Sequence, residues 1–325
     1  MSILVTGAAG FIGFHVCNTL LARGESVVGV DNINDYYDVS LKEARLDRLT
    51  AQTGFTFHKA DIADREAMSE IQARHKGITC IIHLAAQAGV RYSLQNPAAY
   101  IQTNIVGHFV LLELCRHMDT LEHFVYASSS SVYGGNTKLP FAVGDPTDTP
   151  SSLYAATKKA DELMSHCYSH LFKVPATGLR FFTVYGPWGR PDMAAYIFAK
   201  AISEGRPIPV FNYGEMQRDF TYIDDIVAGV IAVADSPQIS TNSAPHRVYN
   251  IGNNKSEPLL QFISLLEKSL GRKAELDLQP MQPGDVKATF ADIGDIKRDY
   301  GFKPNTSIEE GIPQFIAWFR EYHQL

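Results

Sequence analysis

The chain has 325 residues, of which 45% are hydrophobic and 20% are charged, proportions typical of a soluble globular protein. Its formal net charge of −6 argues against a nucleic-acid partner held by a general basic field, although local basic groups can still grip a phosphorylated small molecule. No apolar run approaches the ~18 residues that span a bilayer, so we expect no membrane partner.

Short apolar runs alternate with helical patterns in the first half of the chain, which is typical of a parallel sheet covered by helices. The predicted strands are Ser2–Thr6, Ser26–Val30, Phe55–Lys59, Ile78–Leu84, His123–Ser128 and Ala176–Phe181. The predicted helices between them are Phe11–Arg23, Arg65–His75, Pro97–His117 and Leu153–Phe172. This alternation predicts the α/β class, with a Rossmann-type doubly wound parallel sheet.

The pattern loosens into loops rich in proline and glycine after Phe181. Ile223–Ala234 and Val248–Ile251 resemble one more helix–strand unit, which we expect to return to the main sheet. The clearer helices in the remainder are Tyr196–Ser203, Leu259–Leu270 and Ile308–Tyr322. The second domain is therefore expected to be smaller and discontinuous.

The segment Thr6–Gly13 directly follows a predicted strand and opens a predicted helix, the context that a glycine-rich phosphate loop requires. Gly7 permits a tight turn, Gly10 lets the backbone approach a pyrophosphate, and Gly13 lets the helix pack on the strand. The helix N-terminus supplies N–H donors to the anion. We therefore predict a dinucleotide site that includes Gly7, Gly10, Phe11, Ile12 and Gly13.

Asp31 ends the second strand and can bind both ribose hydroxyls of NAD, whereas it would repel the 2′-phosphate of NADP. The following residues, including Asn32, contribute no arginine to reverse that preference, so NAD is the expected cofactor. Asp61 and Ile62, just after the third strand, are candidates for contact with the adenine ring. A simple loop aspartate explains Asp61 almost as well.

Tyr154 and Lys158 are four residues apart on a predicted helix and therefore share one face. A free tyrosine, with a pKa near ~10, is a poor base at neutral pH, and a fixed ammonium group nearby favours its deprotonated form. This spacing alone is weak evidence, because most such pairs are neighbours on a helix surface. The surrounding motifs strengthen the interpretation.

With Thr6–Gly13, Asp31, His83–Ala86 and Tyr154–Lys158 in this order, the chain resembles an extended short-chain dehydrogenase/reductase over essentially its whole length. The resemblance implies an NAD-dependent enzyme in which a serine or threonine after the fifth strand completes a catalytic triad. It also implies that the fourth strand leads into further cofactor contacts, at Leu84, Ala85 and Ala86.

The segment Tyr126–Gly134 carries four consecutive serines and fits the expected triad position. Ser129 occupies the place implied by the resemblance, while Ser128, Ser130 and Ser131 remain alternatives. The expected catalytic set is therefore Ser129, Tyr154 and Lys158.

Three longer segments, Ala85–Ser93, Leu179–Met193 and Gln217–Asp225, resemble the signature of UDP-glucuronate 4-epimerases. The resemblance assigns the substrate carboxylate to Arg190 and Thr183, together with the serines at 129–131. An arginine suits this role because it can form a two-pronged, charge-assisted bond to a carboxylate. Arg91 is a candidate sugar contact, with a structural salt bridge as an equal alternative.

The resemblance also implies nucleotide contacts in the C-terminal half, with Arg218 on the diphosphate and Asp285 on the UDP portion. Related epimerases often carry arginine where Gln282 stands, so one phosphate contact of that kind is in doubt. Phe211 is a candidate for flanking the uracil, with an ordinary core position as a nearly even alternative.

The implied activity is epimerisation at C4 of UDP-glucuronic acid to UDP-galacturonic acid through a 4-keto intermediate that rotates in the site. A UDP-glucose 4-epimerase or a dual-specificity enzyme is the alternative, and a non-catalytic NAD-sensing regulator is a distant one. The expected division is 1–179 plus about 217–252 for the NAD-binding domain. Residues of about 180–216 plus 253–325 would form the UDP-sugar-binding domain.

The family resemblance implies a homodimer built through helices 97–117 and 153–172, although burial within one chain would look the same in sequence. His166 and His170 have a spacing that metals use, but no third ligand accompanies them, and we expect no metal. The four cysteines, at 17, 80, 115 and 167, lie in apolar patterns, which predicts buried thiols in a reducing compartment. With the first strand starting at Ser2, we expect no signal peptide and a cytoplasmic protein.

Overall fold

The computed structural model describes residues 2–237, 244–282 and 285–325. Its strands are β1 Ser2–Thr6, β2 Ser26–Asp31, β3 Phe55–Lys59, β4 Ile78–His83, β5 His123–Ser129, β6 Ala176–Phe181, β7 Thr183–Tyr185, β8 Ile208–Val210, β9 Gln217–Arg218, β10 Phe220–Tyr222, β11 His246–Ile251, β12 Glu257–Pro258 and β13 Leu276–Leu278.

The central sheet has seven strands in the order β11-β6-β5-β4-β1-β2-β3, and all of its neighbouring strands are parallel. The chain order therefore reverses direction on the two sides of β1. Crevices at such a reversal, outside the carboxyl ends of the strands, are where open α/β sheets bind ligands. The predicted doubly wound fold is confirmed.

Helices cover both faces of the sheet. They are α1 Phe11–Ala22, α2 Val39–Thr50, α3 Arg65–Arg74, α4 Tyr92–Gln95, α5 Pro97–Tyr100, α6 His108–Arg116, α7 Leu153–Phe172, α8 Ala194–Glu204, α9 Ile223–Asp235, α10 Leu259–Leu270, α11 Gly294–Tyr300 and α12 Ile308–His323. One apolar core joins α1 and α9 to one face of the sheet and continues into α10 and α12, and a second joins α3 and α6 to the other face.

The helix predicted over 97–117 consists of α5, a π-helical segment at Ile101–Gly107, and α6. Within the described residues, this continuous helix of 20 residues is the one long and apolar enough to cross a membrane. This is weak evidence for a membrane span, since core helices of soluble proteins pass the same test and 44% of the relevant window is buried here. The segment is nevertheless not an unbroken apolar run, because Gln102, Asn104, His108 and Glu113 interrupt it.

The helix α2 was not predicted from the sequence, although it has a clear start signal. The Asp38 carboxylate accepts a hydrogen bond from the Ser40 N–H at 3.0 Å and thereby caps the helix. Leu41, Arg45 and Leu49 are buried along one face, a spacing of four residues that indicates an amphipathic helix. Arg45 interrupts the apolar pattern of this buried face, and the helix was therefore not recognised in the sequence.

The last strand of the sheet, β11, pairs in parallel with β6, with His246 opposite Ala176 and Ile251 opposite Phe181. The predicted return of the chain to the main sheet is therefore confirmed. The segments on either side of this unit form three two-stranded pairings, β7 with β10, β8 with β13 and β9 with β12. The division into domains proposed above stays a prediction.

All four cysteines are free thiols. Cys17, Cys80 and Cys115 are buried as predicted, and burial raises the pKa of each thiol above its ordinary value. Cys167 is exposed, which corrects the expectation of a fourth buried thiol. Its position on α7 faces away from the sheet, because the buried side of that helix is carried by residues such as Ser165 and Ser169.

Candidate active site

A cavity of about 790 Å³ opens between the carboxyl ends of the central strands and the C-terminal segments. It brings together residues that the sequence separates by as many as 282 positions, from Gly7 to Thr289. The predicted site residues that line it are Gly7, Gly10, Phe11, Ile12, Gly13, Asp31, Asn32, Ile62, Leu84, Ala85, Ala86, Arg91, Ser129, Ser130, Ser131, Tyr154, Lys158, Thr183, Arg190, Phe211, Arg218 and Asp285.

The glycine loop is closed so tightly that side chains would not fit. A Cβ on Gly13 would lie 2.0 Å from the Gly7 carbonyl oxygen, and one on Gly10 would lie 2.9 Å from the same atom. Gly7 also has a φ of +73°, which favours glycine. No side chain caps the start of α1 at Gly10, so its N–H groups remain available to an anionic ligand.

Asp31 stands at the end of β2 beside this loop. Its carboxylate accepts hydrogen bonds from the Ala9 N–H at 3.2 Å and the Ile33 N–H at 2.9 Å. Burial raises the pKa of Asp31, and the opposing influences include the nearby Lys42. Both side chains line the cavity, so a ligand here meets an acceptor and an ammonium group together.

Lys42 is a residue that the sequence interpretation missed, because it belongs to the unpredicted α2. Its ammonium group donates to the backbone and side-chain oxygens of Asn34, both at 2.7 Å. Burial lowers the pKa of this lysine. Recognising the helix start at Asp38 would have placed Lys42 within the first turns, close to the carboxyl end of β2.

Asp61 does not belong to the residues that line the cavity, whereas its neighbour Ile62 does. The Asp61 carboxylate accepts hydrogen bonds from the Asn32 side chain and from the Ala63 N–H, both at 2.9 Å. Asp61 therefore orients Asn32, which does line the cavity. A direct contact of Asp61 with a nucleotide stays a prediction.

Tyr154 and Lys158 project from the first turns of α7, whose start is capped by a bond from the Ala155 N–H to the Ser152 hydroxyl at 3.1 Å. Lys158 is 2% exposed and donates to the Ala127 carbonyl at 2.9 Å. Tyr154 is half-buried and meets Tyr100 edge-to-face, with ring centroids 6.0 Å apart. The predicted pair thus faces one cavity from one helix.

Asn104, in the π-helical segment, links α7 to the loop that follows β4. Its amide donates to the Thr157 hydroxyl at 3.0 Å and to the Gln87 carbonyl at 3.1 Å, and it accepts from the Gln87 N–H at 2.9 Å. π-helical turns are rare and frequently lie at functional sites. Asn104 was missed because no sequence signal marks the local change in helical register.

The structure distinguishes between the candidate serines. The Ser128 hydroxyl donates to Glu162 at 2.6 Å, and the same carboxylate receives two bonds from Arg180, each at 2.8 Å. Ser128 is therefore occupied within a buried ion-pair network. Both serines line the cavity, but the hydroxyl of Ser129 accepts a hydrogen bond only from the Ser131 N–H, at 3.2 Å, among the described residues. Its hydroxyl is therefore the one available to donate to a ligand, which favours Ser129 over Ser128.

Arg190 enters the cavity with its guanidinium group bound to Asp192. The Nε–Oδ1 distance is 2.9 Å, and Nη2 bonds the other oxygen of the same carboxylate. Tyr36 donates to Asp192 at 3.0 Å. Burial would raise the pKa of Asp192, but the charge and hydrogen bonds of Arg190 outweigh it and hold the pKa below its ordinary value. The sequence indicated Arg190 and Thr183 but not the Asp192–Tyr36 support.

The opposite end of the cavity gathers the predicted nucleotide contacts. Arg91 forms a salt bridge of 3.1 Å to Asp285 and stacks its guanidinium group over the Phe211 ring, 4.4 Å from the centroid. Arg218 donates to the carbonyls of Gln217 and Lys287, at 2.8 and 3.2 Å, and burial lowers its pKa. Arg91 therefore forms the salt bridge that was one of its two predicted roles, and it also lines the cavity, where it can contact a ligand. Phe211 is partly exposed there rather than enclosed in the core.

His166 is exposed, as is His170, and the ring of His166 lies 5.5 Å from that of His246. Among the described residues, no group of three or more metal-ligating side chains comes together.

Residues 3–252 match the model of the NAD dependent epimerase/dehydratase family. The chain belongs to this family. Its relatives include UDP-glucuronate 4-epimerase 4 of Arabidopsis thaliana, with 47% identity over 99% of this chain and 76% of that one. Protein CapI of Staphylococcus aureus is 48% identical, with both chains fully covered.

The fold of this NAD-dependent epimerase/dehydratase family member also matches solved structures. The crystal structure of UDP-glucuronic acid 4-epimerase from Bacillus cereus, in complex with UDP-glucuronic acid and NAD, superposes with a TM-score of 0.91. The two sequences are 35% identical, and the match covers 99% of this chain and all of the other.

The residues in this structure fit NAD on their own geometry. The side-chain-free cradle at Gly7, Gly10 and Gly13 exposes uncapped N–H donors for a pyrophosphate. The Asp31 carboxylate offers acceptors for a ribose diol, and Lys158 faces the same cavity.

Proposed function

We propose that the protein interconverts UDP-glucuronic acid and UDP-galacturonic acid by epimerisation at C4, with NAD retained in the site. The observation that carries this proposal is the position of Arg190, which shares one cavity with Tyr154, Ser129 and Thr183. A cation beside the predicted catalytic groups suits a sugar whose C6 is a carboxylate. Relatives named as UDP-glucuronate 4-epimerases support the same assignment.

The cofactor would be held by the glycine loop at its pyrophosphate, by Asp31 and Lys42 at a ribose, and by Lys158 at the other ribose. When bound, NAD takes up two electrons with the hydrogen of C4 and later returns them, so no external oxidant is consumed. The proposed division of the chain gives these contacts to residues 1–179 plus about 217–252.

The proton at O4 is moved by side chains of this chain. The Tyr154 phenolate accepts the proton of the C4 hydroxyl, and the Lys158 ammonium group favours the phenolate form by its charge. The Ser129 hydroxyl donates a hydrogen bond to O4 and orients it. After the 4-keto sugar has rotated, Tyr154 returns its proton to O4, which now lies on the other side of the ring.

An acid substrate adds a hazard, because a ketone at C4 lies β to the C6 carboxylate and β-keto acids readily lose carbon dioxide. The enzyme must therefore hold the carboxylate in a conformation that disfavours this loss. We assign that task to Arg190, Thr183 and the serines at 129–131. The Asp192 carboxylate orients the Arg190 guanidinium group, and we assign the remaining N–H groups of Arg190 to the substrate carboxylate.

The uridine diphosphate would occupy the other end of the cavity, within the proposed sugar-nucleotide domain of about 180–216 plus 253–325. Arg218 is placed for the diphosphate, Asp285 for the uridine portion, and Phe211 with Arg91 for the base and sugar. The cation–π stack between the last two gives the base a flat, pre-formed surface.

The decisive test is incubation with UDP-glucuronate and no added cofactor, followed by NMR detection of the C4 proton as it changes between axial and equatorial positions. We expect UDP-galacturonate to form. A parallel incubation with UDP-glucose checks the alternative substrate. If no UDP-sugar is isomerised although NAD binds, the protein is a non-catalytic NAD-binding protein and the proposal fails.

We further propose a homodimer through helices 97–117 and 153–172. Both present large apolar side chains to solvent, including Ile101 at 45%, Leu163 at 59% and Leu171 at 59% exposure. Burying such a surface against a second copy is favourable by about 25 cal/mol per Å². A cytoplasmic location is proposed because all four cysteines are free thiols, as is usual for proteins of reducing compartments.

A further inference from the structure

The carboxylate of Asp161 lies directly behind the predicted catalytic pair. It is fully buried, and its Oδ2 accepts a hydrogen bond from the Lys158 ammonium group at 3.1 Å. Its other oxygen, Oδ1, has no hydrogen-bond partner among the described residues. A carboxylate in such a place is expensive to ionise, so its presence requires an explanation.

The surroundings of Asp161 leave Lys158 as its controlling charge. His83 on β4 and His108 on α6 are neutral, because burial holds the pKa of each well below its ordinary value. Tyr126 on β5 is neutral as well, since burial raises its pKa. On α7 itself, the adjoining Glu162 receives two bonds from Arg180, and its charge adds a smaller upward influence on the pKa of Asp161, so Lys158 is the main opposing charge.

Fold stability does not account for this carboxylate. Burial raises the pKa of Asp161 to about 7, and the charge of Lys158 opposes that rise. Because this value lies above the ordinary one, the folded state binds the proton more tightly than the unfolded chain. Stability from this group is therefore lost as the pH rises from about 4 to 7. Ionised Asp161 destabilises the fold at the pH where the enzyme would work.

We propose that Asp161 is a positioning residue that sets the strength with which Lys158 stabilises the Tyr154 phenolate, an inference that rests on the proposed function. The carboxylate holds the ammonium group in place and offsets part of its charge. Tyr154 then becomes basic enough to take the O4 proton and still returns it in the second half of the cycle. Without the offset, the phenolate would form too readily and retain too little basicity.

The distance between Asp161 and Tyr154 along α7 sets the size of the expected change in the Tyr154 titration. Asp161 lies seven residues beyond Tyr154, which corresponds to about 10 Å along the helix axis. At an effective dielectric constant of about 20, a unit charge at that distance shifts a titration by roughly one pH unit. Asp161→Asn keeps the size of the side chain and an oxygen acceptor for Lys158 but removes the charge. The phenolate of Tyr154 should therefore form at a pH lower by about one unit.

The test reads the phenolate directly by its ultraviolet difference absorbance across a pH titration of the NAD-bound protein without sugar. The signal of Tyr154 is identified by its loss in Tyr154→Phe. We expect its midpoint to move about one unit lower in Asp161→Asn and to stay in place in Glu70→Gln, a surface acid-to-amide control. Coincident midpoints for the wild type and Asp161→Asn would overturn the proposal.

A second measurement does not depend on a variant that folds. In wild-type protein labelled with ¹³C at aspartate carboxyl groups, the Asp161 resonance should titrate near pH 7 and below the midpoint of the Tyr154 phenolate. A carboxyl group that stays protonated through that midpoint has no charge with which to offset Lys158 and would overturn the proposal. In active enzyme, the acid limb of kcat/KM for UDP-glucuronate should move with the phenolate midpoint. An absence of epimerisation in wild type would refute the proposed function instead, since neither spectroscopic readout needs turnover.

Discussion

The ion pair between Glu162 and Arg180 offers the sharpest test of how the fold supports the site. Both side chains are 4% exposed, and Glu162 receives two bonds from Arg180 at 2.8 Å and one from Ser128 at 2.6 Å. Glu162→Gln keeps the shape but removes the negative charge. The Arg180 guanidinium group, which also bonds Tyr133, is then buried without its counter-charge.

Breaking one side of a buried ion pair costs about 3–5 kcal/mol. An unfolding entropy of about 2.1 cal/mol/K per residue gives roughly 0.7 kcal/mol/K for 325 residues. The expected loss for Glu162→Gln is therefore about 4–7 °C in Tm, measured by differential scanning calorimetry. Replacing Arg180 with Met in the same protein should restore part of this loss, because no unpaired charge remains. A Tm within about 1 °C of the wild type for Glu162→Gln alone would refute the reasoning.

The ion pair between Glu162 and Arg180 also predicts that the thermal stability of the protein depends on pH. Burial would raise the pKa of Glu162, but the bonds and charge of Arg180 outweigh it and lower the pKa below its ordinary value. Its stabilising contribution is then complete above the unfolded value of about 4.3 and is lost as the pH falls through the folded one. The Tm difference between wild type and Glu162→Gln should therefore narrow in calorimetric scans below about pH 4.

Three further outcomes follow from the cavity and its surface. Gly13→Ala places a Cβ 2.0 Å from a backbone carbonyl and should abolish NAD binding in calorimetric titration, whereas Gly77→Ala, which has open space, should bind normally. Arg190→Ala should weaken the binding of UDP-glucuronate about 10- to 100-fold, without a matching loss of affinity for UDP-glucose. The variant should also release a 4-keto-pentose, because the intermediate then loses carbon dioxide. Unchanged affinity and unchanged products would refute the role of Arg190. Leu163→Glu should leave a species of 36.0 kDa in light scattering, while Leu278→Glu, at a site that is also more than half exposed, keeps the dimer.

The sequence alone determined most of the central sheet. Strands such as Ser2–Thr6, Phe55–Lys59 and Ala176–Phe181 were predicted with the bounds that the structure has, as was the helix Leu153–Phe172. These elements are predictable because their signals, namely apolar runs, helix caps and periodic apolar faces, span only a few residues of sequence. The glycine loop is predictable for the same reason, because its steric demands act within one turn of chain.

The helix Val39–Thr50 and the π-helical segment at Ile101–Gly107 escaped the sequence interpretation. In the first, Arg45 sits on the buried face and bonds the carbonyls of Ala9 and Trp188, so a charged residue occupies a core position. In the second, the contact that marks the π-helical segment is the bond from Asn104 to Thr157 of α7. Neither partner lies nearby in sequence.

Only the tertiary structure decided which of the candidate residues can contact a ligand and which ones support them. The family resemblance indicated Ser129 but left the three adjacent serines as alternatives, and Ser128 is set apart because Glu162 reaches it from another element. Arg91 meets Asp285 across 194 residues, and Tyr36 reaches the carboxylate that orients Arg190 across 156. Motifs specify which chemical groups a site contains. Long-range packing specifies their partners, because contact between distant segments depends on how the whole chain folds.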